Sequence, residues 1–134
     1  MAVWSPEQLA RVDEASELEI ATRRADGTLR SPRPIWVVRV GDQVYVRTWY
    51  RRTTGWFGRV LESPRAQVQV PGLTADVTVE DVGDGASTDS GDLRDNVDAA
   101  YRAKYGRYGG GSVDQMVTDS AAATTLRLIR EQGP

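Results

Sequence analysis

Cationic and hydroxyl side chains are concentrated in one short stretch in the first half of the chain. Thr48, Arg51 and Arg52 stand directly before a segment that predicts a helix start, and Thr53 and Thr54 add two more hydroxyls. Arginine forks, hydroxyl groups and the free N–H groups of a helix N-terminus are the donors that a phosphate group requires. We therefore expect this loop to form an anion site.

Three tryptophans lie close to this loop in the sequence. Trp36, Trp49 and Trp56 could offer flat surfaces to an aromatic ring that is bound together with the anion. The alternative, that each indole anchors the hydrophobic core, is equally open at this point. We include all three among the candidate binding residues.

A second candidate cluster combines two phenols with the only lysine of the chain. Tyr101, Lys104 and Tyr105 lie at i, i+3 and i+4, so they share one face of a predicted helix. A cation beside a phenol can lower the pKa of the hydroxyl, and this makes Tyr101 and Tyr105 candidate catalytic residues. The pattern favours another interpretation, a structural helix that packs its tyrosines against the rest of the domain.

The amino-acid composition excludes several kinds of active site. The 134 residues include no cysteine and no histidine, so catalytic triads, thiolate nucleophiles, disulfides and Cys- or His-based metal sites are excluded. Asp76, Glu80 and Asp84 fall on one face of a predicted strand about 13 Å apart, too far to share an ion. We expect no metal site.

The net charge of −2 conceals a separation of cations from acids along the chain. Residues 23–65 contain ten arginines and three acidic residues, whereas residues 66–100 contain eight acidic residues and one arginine. This pattern favours a local anion site over a generally basic nucleic-acid-binding surface. The sequence shows neither an apolar membrane span nor a signal peptide, so we expect a cytoplasmic protein without a membrane partner.

Alternating apolar residues and turn signals predict a small antiparallel barrel with attached helices. Ser5 and Gln8 predict a capping box at the first helix, Asp26-Gly27 predicts a hairpin turn, and Pro32 and Pro34 confine their strand to an edge or a bulge. The count is six strands and about three helices. We expect a single domain over residues 1–134, with a helix at 5–15, barrel strands at about 17–82 and 124–130, and a helical insertion at 92–117.

The central stretch combines several features in a fixed order. They are an arginine-bearing strand with an apolar run, a hairpin, a strand with an aromatic–Thr ending, a basic loop and a helix that leads to Ser-Pro, at residues 30–38, 41–42, 44–49, 51–52 and 56–64. In this order the chain resembles the pyridoxamine-phosphate-oxidase-like, FMN-binding split-barrel superfamily. The tyrosine-rich block at 99–109 is similar to a family of small bacterial proteins of unknown function within it.

This resemblance implies a mainly β (α+β) fold: a six-stranded antiparallel split barrel with two to four flanking helices that forms a homodimer. It also implies a flavin cofactor, FMN, with deazaflavin or no cofactor as alternatives. Carried over position by position, the residues near the phosphate would be Arg47, Thr48, Arg51 and Arg52, and those near the ring or its side chain would be Arg30 and Trp36.

Two functions remain open after these arguments. The first is a flavin- or deazaflavin-dependent oxidoreductase acting on a small-molecule substrate, in which the cofactor carries the electrons and the protein positions it. The alternative is a cofactor-independent split-barrel enzyme, or a protein that binds a small organic anion, using Tyr, Asp and Arg side chains in the cleft. Nucleic acid is not an expected partner, because the overall charge is acidic.

Overall fold

A computed structural model describes residues 4–48, 55–82, 92–106 and 110–131. The strands in this part of the chain are β1 (Leu18–Thr22), β2 (Arg33–Ile35), β3 (Val38–Val40), β4 (Gln43–Val46), β5 (Arg65–Val70), β6 (Leu73–Asp81) and β7 (Leu126–Arg130). The helices are α1 (Pro6–Glu14), α2 (Gly55–Glu62), α3 (Asp92–Tyr105), α4 (Gly110–Met116) and the four-residue α5 (Asp119–Ala122).

All seven strands form one antiparallel sheet in the order β2-β1-β5-β6-β7-β4-β3. The two edge strands, β2 and β3, follow each other in sequence and are joined by only Trp36 and Val37. A two-residue link between opposite edges is possible only if the sheet curls until the edges meet. The sheet is therefore a barrel that is split between β2 and β3.

The prediction of an antiparallel barrel is confirmed in its architecture, but the predicted strand count of six is wrong. The sequence predicted one return strand from about Leu29 to Val40, and the structure divides it at Trp36–Val37 into two strands that pair with different partners. Helices α1 to α4 fit the predicted two to four flanking helices, and the described residues add the short turn α5. The described helices include none that is long and apolar enough to cross a membrane.

Two hydrophobic clusters lie on the two faces of the sheet. The first fills the barrel with inward residues of the strands, including Ile20, Val68 and Leu128, and is closed by apolar residues of α1 and α2. The second lies on the outer face of β3 and β4, where Val38 and Tyr45 pack against helices α3 and α4. The helical insertion therefore covers one side of the barrel.

Local signals placed several elements correctly. Ser5 and Gln8 form the predicted capping box, with the Ser5 hydroxyl accepting from the Gln8 N–H at 3.1 Å. Gly27 and Gly41 occupy turn positions with φ of 89° and 61°, which glycine adopts without strain. Pro34 lies in the edge strand β2, as its missing N–H requires.

Candidate functional site

The barrel topology gathers the candidate anion-binding residues at one end. Antiparallel pairing places the end of β1, the end of β4 and the starts of β5 and β7 side by side, as the pairs Thr22↔Ala66 and Val46↔Leu126 show. Arg30 lies three residues before β2 and Thr48 two residues after β4, and α2 ends three residues before β5. We call this end of the barrel the basic end.

Arg30 lies at the basic end on the β1–β2 hairpin. Its backbone N–H donates to the Thr22 carbonyl oxygen at 2.8 Å, so Arg30 stands opposite the last residue of β1. The side chain is half-buried, and its Nε is buried without a hydrogen-bond partner. A buried N–H of a guanidinium that lacks an acceptor is costly, and one explanation is an acceptor supplied by a ligand.

Thr48 is held at the basic end by Thr124. The Thr48 N–H donates to the Thr124 hydroxyl oxygen at 3.0 Å, and the same oxygen lies 2.8 Å from the Thr48 carbonyl oxygen. Both threonines are buried. This contact fixes the backbone at the point where the chain enters the predicted anion-binding loop. Three predicted site residues of that loop, Trp49, Arg51 and Arg52, lie outside the described residues.

Trp56 lies in the first turn of α2, one residue after the helix begins. Its indole is half-buried against the barrel interior and makes an edge-to-face contact with Phe57, with ring centroids 5.8 Å apart. The residue therefore anchors α2 on the barrel and leaves part of its indole exposed.

Arg47 is the largest fully buried side chain of the described residues. Its Nη1 donates to Asp98 Oδ1 at 2.5 Å and to the Met116 carbonyl oxygen at 2.8 Å, and its Nε donates to Thr125 Oγ1 at 2.8 Å. Nη2 is buried without a partner. Most donors of this guanidinium thus serve to attach α3 and α4 to β4 and β7.

Tyr101 lies next to Arg47 and is also fully buried. The Arg47 Cζ atom is 5.6 Å from the centroid of the Tyr101 ring, which is a cation–π geometry. The Tyr101 hydroxyl has no hydrogen-bond partner, and burial raises the pKa of this phenol well above its ordinary value of 10.0 although the Arg47 charge opposes the shift. Tyr101 therefore stays protonated at neutral pH.

Tyr105 lies one turn further along α3, and its hydroxyl contacts backbone groups at the split. It accepts from the Val37 N–H at 3.0 Å and can donate to the Ser16 carbonyl oxygen at 2.9 Å. Beside it, Lys104 Nζ donates to the carbonyl oxygens of Val12 and Val37 at 2.7 and 2.8 Å. We call Lys104 and Tyr105, with these backbone contacts, the clasp.

Trp36, the first residue of the link, stacks face to face on Tyr105. The ring centroids are 4.1 Å apart and the ring planes differ by 5°. Tyr101 and Tyr105 follow each other with centroids 6.0 Å apart. The structure thus brings four of the predicted site residues into one row that runs from the half-buried indole of Trp36 to the buried guanidinium of Arg47.

Asp98 was missed as a member of this row. It pairs with both Arg47 and, at 3.6 Å, Arg94. The spacing of Arg94, Asp98, Tyr101 and Tyr105, at steps of four, three and four residues, places all of them on one face of α3 and could have identified it. Both phenols are fully buried in this structure. The catalytic roles predicted for Tyr101 and Tyr105 stay predictions.

Comparison with solved structures identifies the fold. The putative pyridoxamine 5'-phosphate oxidase of Listeria innocua matches with a TM-score of 0.59 at 13% identity, covering 94% of this chain and 92% of that one. The heme storage protein HutZ of Vibrio cholerae matches with a TM-score of 0.58 at 19% identity, covering 98% and 92%. A FAD-binding protein of Mesorhizobium loti gives a TM-score of 0.55 at 18% identity, covering 96% and 91%.

At these identities the likeness shows a shared split-barrel fold of the pyridoxamine 5'-phosphate oxidase type. No curated protein sequence matches the chain. A family model described as "Uncharacterized protein conserved in bacteria (DUF2255)" matches residues 8–128. With nearly its whole length covered, the chain belongs to this family of bacterial split-barrel proteins.

Proposed function

We propose that this protein is a flavin-dependent oxidoreductase of a small-molecule substrate, with FMN or a deazaflavin held by its phosphate at the basic end. The observation that carries the proposal is Arg30, whose buried Nε lacks an acceptor at the end of the barrel where β4 leads to Thr48. A phosphate oxygen would supply that acceptor. The named activities of the solved relatives, a putative oxidase and a FAD-binding protein, support the same cofactor class.

The residues present fit such a cofactor. Arg30 and the loop residues Arg51 and Arg52 would hold the phosphate, and Trp36 would lie against the ring. Arg47 would contribute at most through Nη2, because its other donors are bound to Asp98, Thr125 and Met116. The phosphate contact therefore depends on Arg30 and the loop more than on Arg47.

When bound, the flavin supplies the electron transfer that no side chain of this chain can perform. The protein's own tasks are to bind the phosphate with cations, to hold the ring against an apolar wall and to exclude water from it. A protein without cysteine or histidine is suited to these tasks. We propose that it acts as a cytoplasmic homodimer, in line with the resemblance on which the cofactor assignment also rests.

A second candidate is a cofactor-independent split-barrel protein that binds a small organic anion. The observation that favours it is the internal ion pair of Arg47 with Asp98, which removes one of the cations that the resemblance assigns to a flavin phosphate. Without Arg47, Arg30 and the loop residues could bind a smaller anion. A binding experiment separates the two candidates.

The test is a titration of the purified protein with FMN and with a deazaflavin, followed by flavin fluorescence. We expect micromolar binding of one of them, and a loss of about tenfold in affinity for Arg30→Ala, the size of one charge-assisted hydrogen bond. Arg33→Ala is the matched control, because Arg33 is an exposed arginine of the same hairpin. Its affinity should stay within about twofold of wild type if hydrogen bonding, not general charge, holds the phosphate.

Two outcomes would contradict the proposal. Wild-type protein that binds neither cofactor would exclude the flavin function, and binding of inorganic phosphate or a small carboxylate in its place would favour the second candidate. Equal losses for the Arg30 and Arg33 variants would show that the contact is only long-range attraction. Arg30 would then be removed from the site.

A further inference from the structure

The hairpin that joins β1 to β2 has one more residue on its returning arm than on its first arm. Ile20 pairs with Arg33, and Arg23 forms an isolated bridge with Leu29. Between these two pairs, two residues of β1 face three residues of the returning arm. The extra residue makes a β-bulge, a feature that redirects side chains and is common beside functional sites.

This bulge decides which face of the sheet carries the side chain of Arg30. The Arg30 N–H donates to the Thr22 carbonyl oxygen at 2.8 Å, next to the bridge of Arg23, so Arg30 stands directly opposite Thr22. Residues that are directly opposite in an antiparallel pair have their side chains on the same face. Without the extra residue, the pairing of Ile20 with Arg33 would continue to Arg23 opposite Arg30, on the other face.

Thr22 faces the interior of the barrel. It continues the alternation of Leu18 and Ile20, which belong to the cluster inside the barrel, and it pairs with Ala66 of the same cluster. Thr22 is only 3% exposed, and within the described part of the chain its hydroxyl makes no hydrogen bond. A buried hydroxyl is unfavourable unless it has a hydrogen-bond partner, so this position favours a partner supplied by a ligand.

We propose that Thr22 is a second binding residue for the anion at Arg30, so that these two neighbouring side chains hold one phosphate group. The inference rests on the function proposed above, in which the phosphate belongs to a flavin. Arg30 Nε is a buried donor without a partner, and the Thr22 hydroxyl is a donor on the same face of the adjacent strand. The terminal oxygens of a phosphate monoester can accept from both donors at once. The bulge assembles this site by turning Arg30 to the interior face.

The experiment compares Thr22→Val, which has nearly the same shape but no hydroxyl, with Thr22→Ser, which keeps the hydroxyl. Flavin fluorescence measures binding of FMN and of riboflavin, which is FMN without its phosphate, and calorimetry measures binding of inorganic phosphate. We expect Thr22→Val to weaken binding of FMN and of inorganic phosphate about five- to tenfold, and to leave riboflavin affinity within about twofold. Thr22→Ser should stay within about twofold of wild type for all three ligands.

The matched control is Thr74→Val, because Thr74 is an exposed threonine on β6 of the same sheet. Its affinities should match those of wild type. The melting temperature without ligand separates a binding role from a structural one. Thr22→Val should melt at the wild-type temperature or above it, because the hydroxyl has no internal partner to lose. A lower melting temperature, with equal losses of FMN and riboflavin affinity, would show a structural hydroxyl and overturn the proposal.

The two proposals fail in different ways. Wild-type protein may bind neither FMN nor a deazaflavin and still bind inorganic phosphate, more weakly in Thr22→Val; this result overturns the flavin function and leaves the anion site in place. Wild-type protein that binds FMN while Thr22→Val binds FMN equally well overturns the role of Thr22 alone. Wild-type protein that binds neither a flavin nor inorganic phosphate overturns both proposals.

Discussion

The middle and the C-terminal end of helix α3 attach it to the barrel in contrasting ways. Near the middle of the helix, Asp98 and Tyr101 meet the buried guanidinium of Arg47, and this contact leaves Arg47 Nη2 and the Tyr101 hydroxyl without partners. At the C-terminal end, Tyr105 and Lys104 bond directly to backbone groups. Complete burial of a tyrosine therefore does not define its role, whereas the hydrogen-bond partners of its hydroxyl do.

Arg47→Met should produce the largest loss of stability, because it leaves the Asp98 carboxylate without its short ion pair. Removal of one partner from a fully buried pair costs about 3–5 kcal/mol, and we expect a loss towards the lower end because Asp98 is 21% exposed and keeps its 3.6 Å contact with Arg94. Urea denaturation would measure the free energy of unfolding. The double variant Arg47→Met/Asp98→Leu should recover most of the loss, and a loss below about 1 kcal/mol in the single variant would show that the pair contributes little.

Tyr105→Phe should cost about 1–3 kcal/mol in the free energy of unfolding, because the buried Val37 N–H loses the hydroxyl that accepts from it. The phenyl ring keeps the stacked contact with Trp36, so the loss measures the hydroxyl alone. Thermal and urea unfolding would give the value. An unchanged stability would mean that water replaces the hydroxyl, and the clasp would then contribute nothing through this group.

Glu131→Gln offers an exposed counterpart to the buried Arg47–Asp98 pair. Arg65 bonds both carboxylate oxygens of Glu131, at 3.0 and 2.8 Å, but its own side chain is 59% exposed. We expect the substitution to cost less than about 1 kcal/mol and to cost less still at high salt. A loss comparable to that of Arg47→Met would show that the difference in burial does not change how much each ion pair stabilises the fold.

This exposed pair should also respond to acid. The hydrogen bond and charge of Arg65 hold the pKa of Glu131 below its ordinary value of 4.5. Because the folded state has the lower pKa, the stabilisation is present above the ordinary value and is lost as pH falls through the lowered one. The difference between wild type and Glu131→Gln should therefore disappear in acid. A difference that persists there would assign the effect to packing.

Tyr101→Phe should have the smallest effect at neutral pH, within about 0.5 kcal/mol of wild type or slightly stabilising, because its hydroxyl has no partner to lose. At alkaline pH the free energy of unfolding of the variant should become larger than that of wild type. Burial raises the pKa of Tyr101 in the folded state, so the unfolded chain loses this proton first and wild-type stability falls as pH rises above 10.0. A loss as large as that of Tyr105→Phe would indicate a buried water on the Tyr101 hydroxyl.

The elements of the fold that depend only on residues adjacent in the sequence could be predicted from the sequence. The capping box at Ser5, the turns at Gly27 and Gly41 and the edge position of Pro34 each follow from a preference of the residue itself. The break at Trp36–Val37 could not be predicted in this way. Ile35 to Val38 is a continuous apolar run, and only closure of the whole sheet decides that its two halves pair with different strands.

The same limit applies to the candidate site. The composition of the arginine-rich stretch predicted its cations, and the spacing of Tyr101 and Tyr105 predicted that they share a helix face. The meeting of Arg47 with Asp98 joins positions 51 residues apart and depends on how α3 lies across β4. The sequence shows which side chains carry a charge or can form hydrogen bonds. Which residue each of them contacts is decided by the packing of distant parts of the chain.

The split between β2 and β3 also bears on how the protein avoids aggregation. Unpaired strand edges can template the addition of strands from other molecules. In the described sheet, both edge strands are only three residues long, the Trp36–Val37 link brings them to the same place, and Pro34 removes one donor from β2. A barrel that is not fully closed by hydrogen bonds thereby offers another chain almost no edge on which to pair.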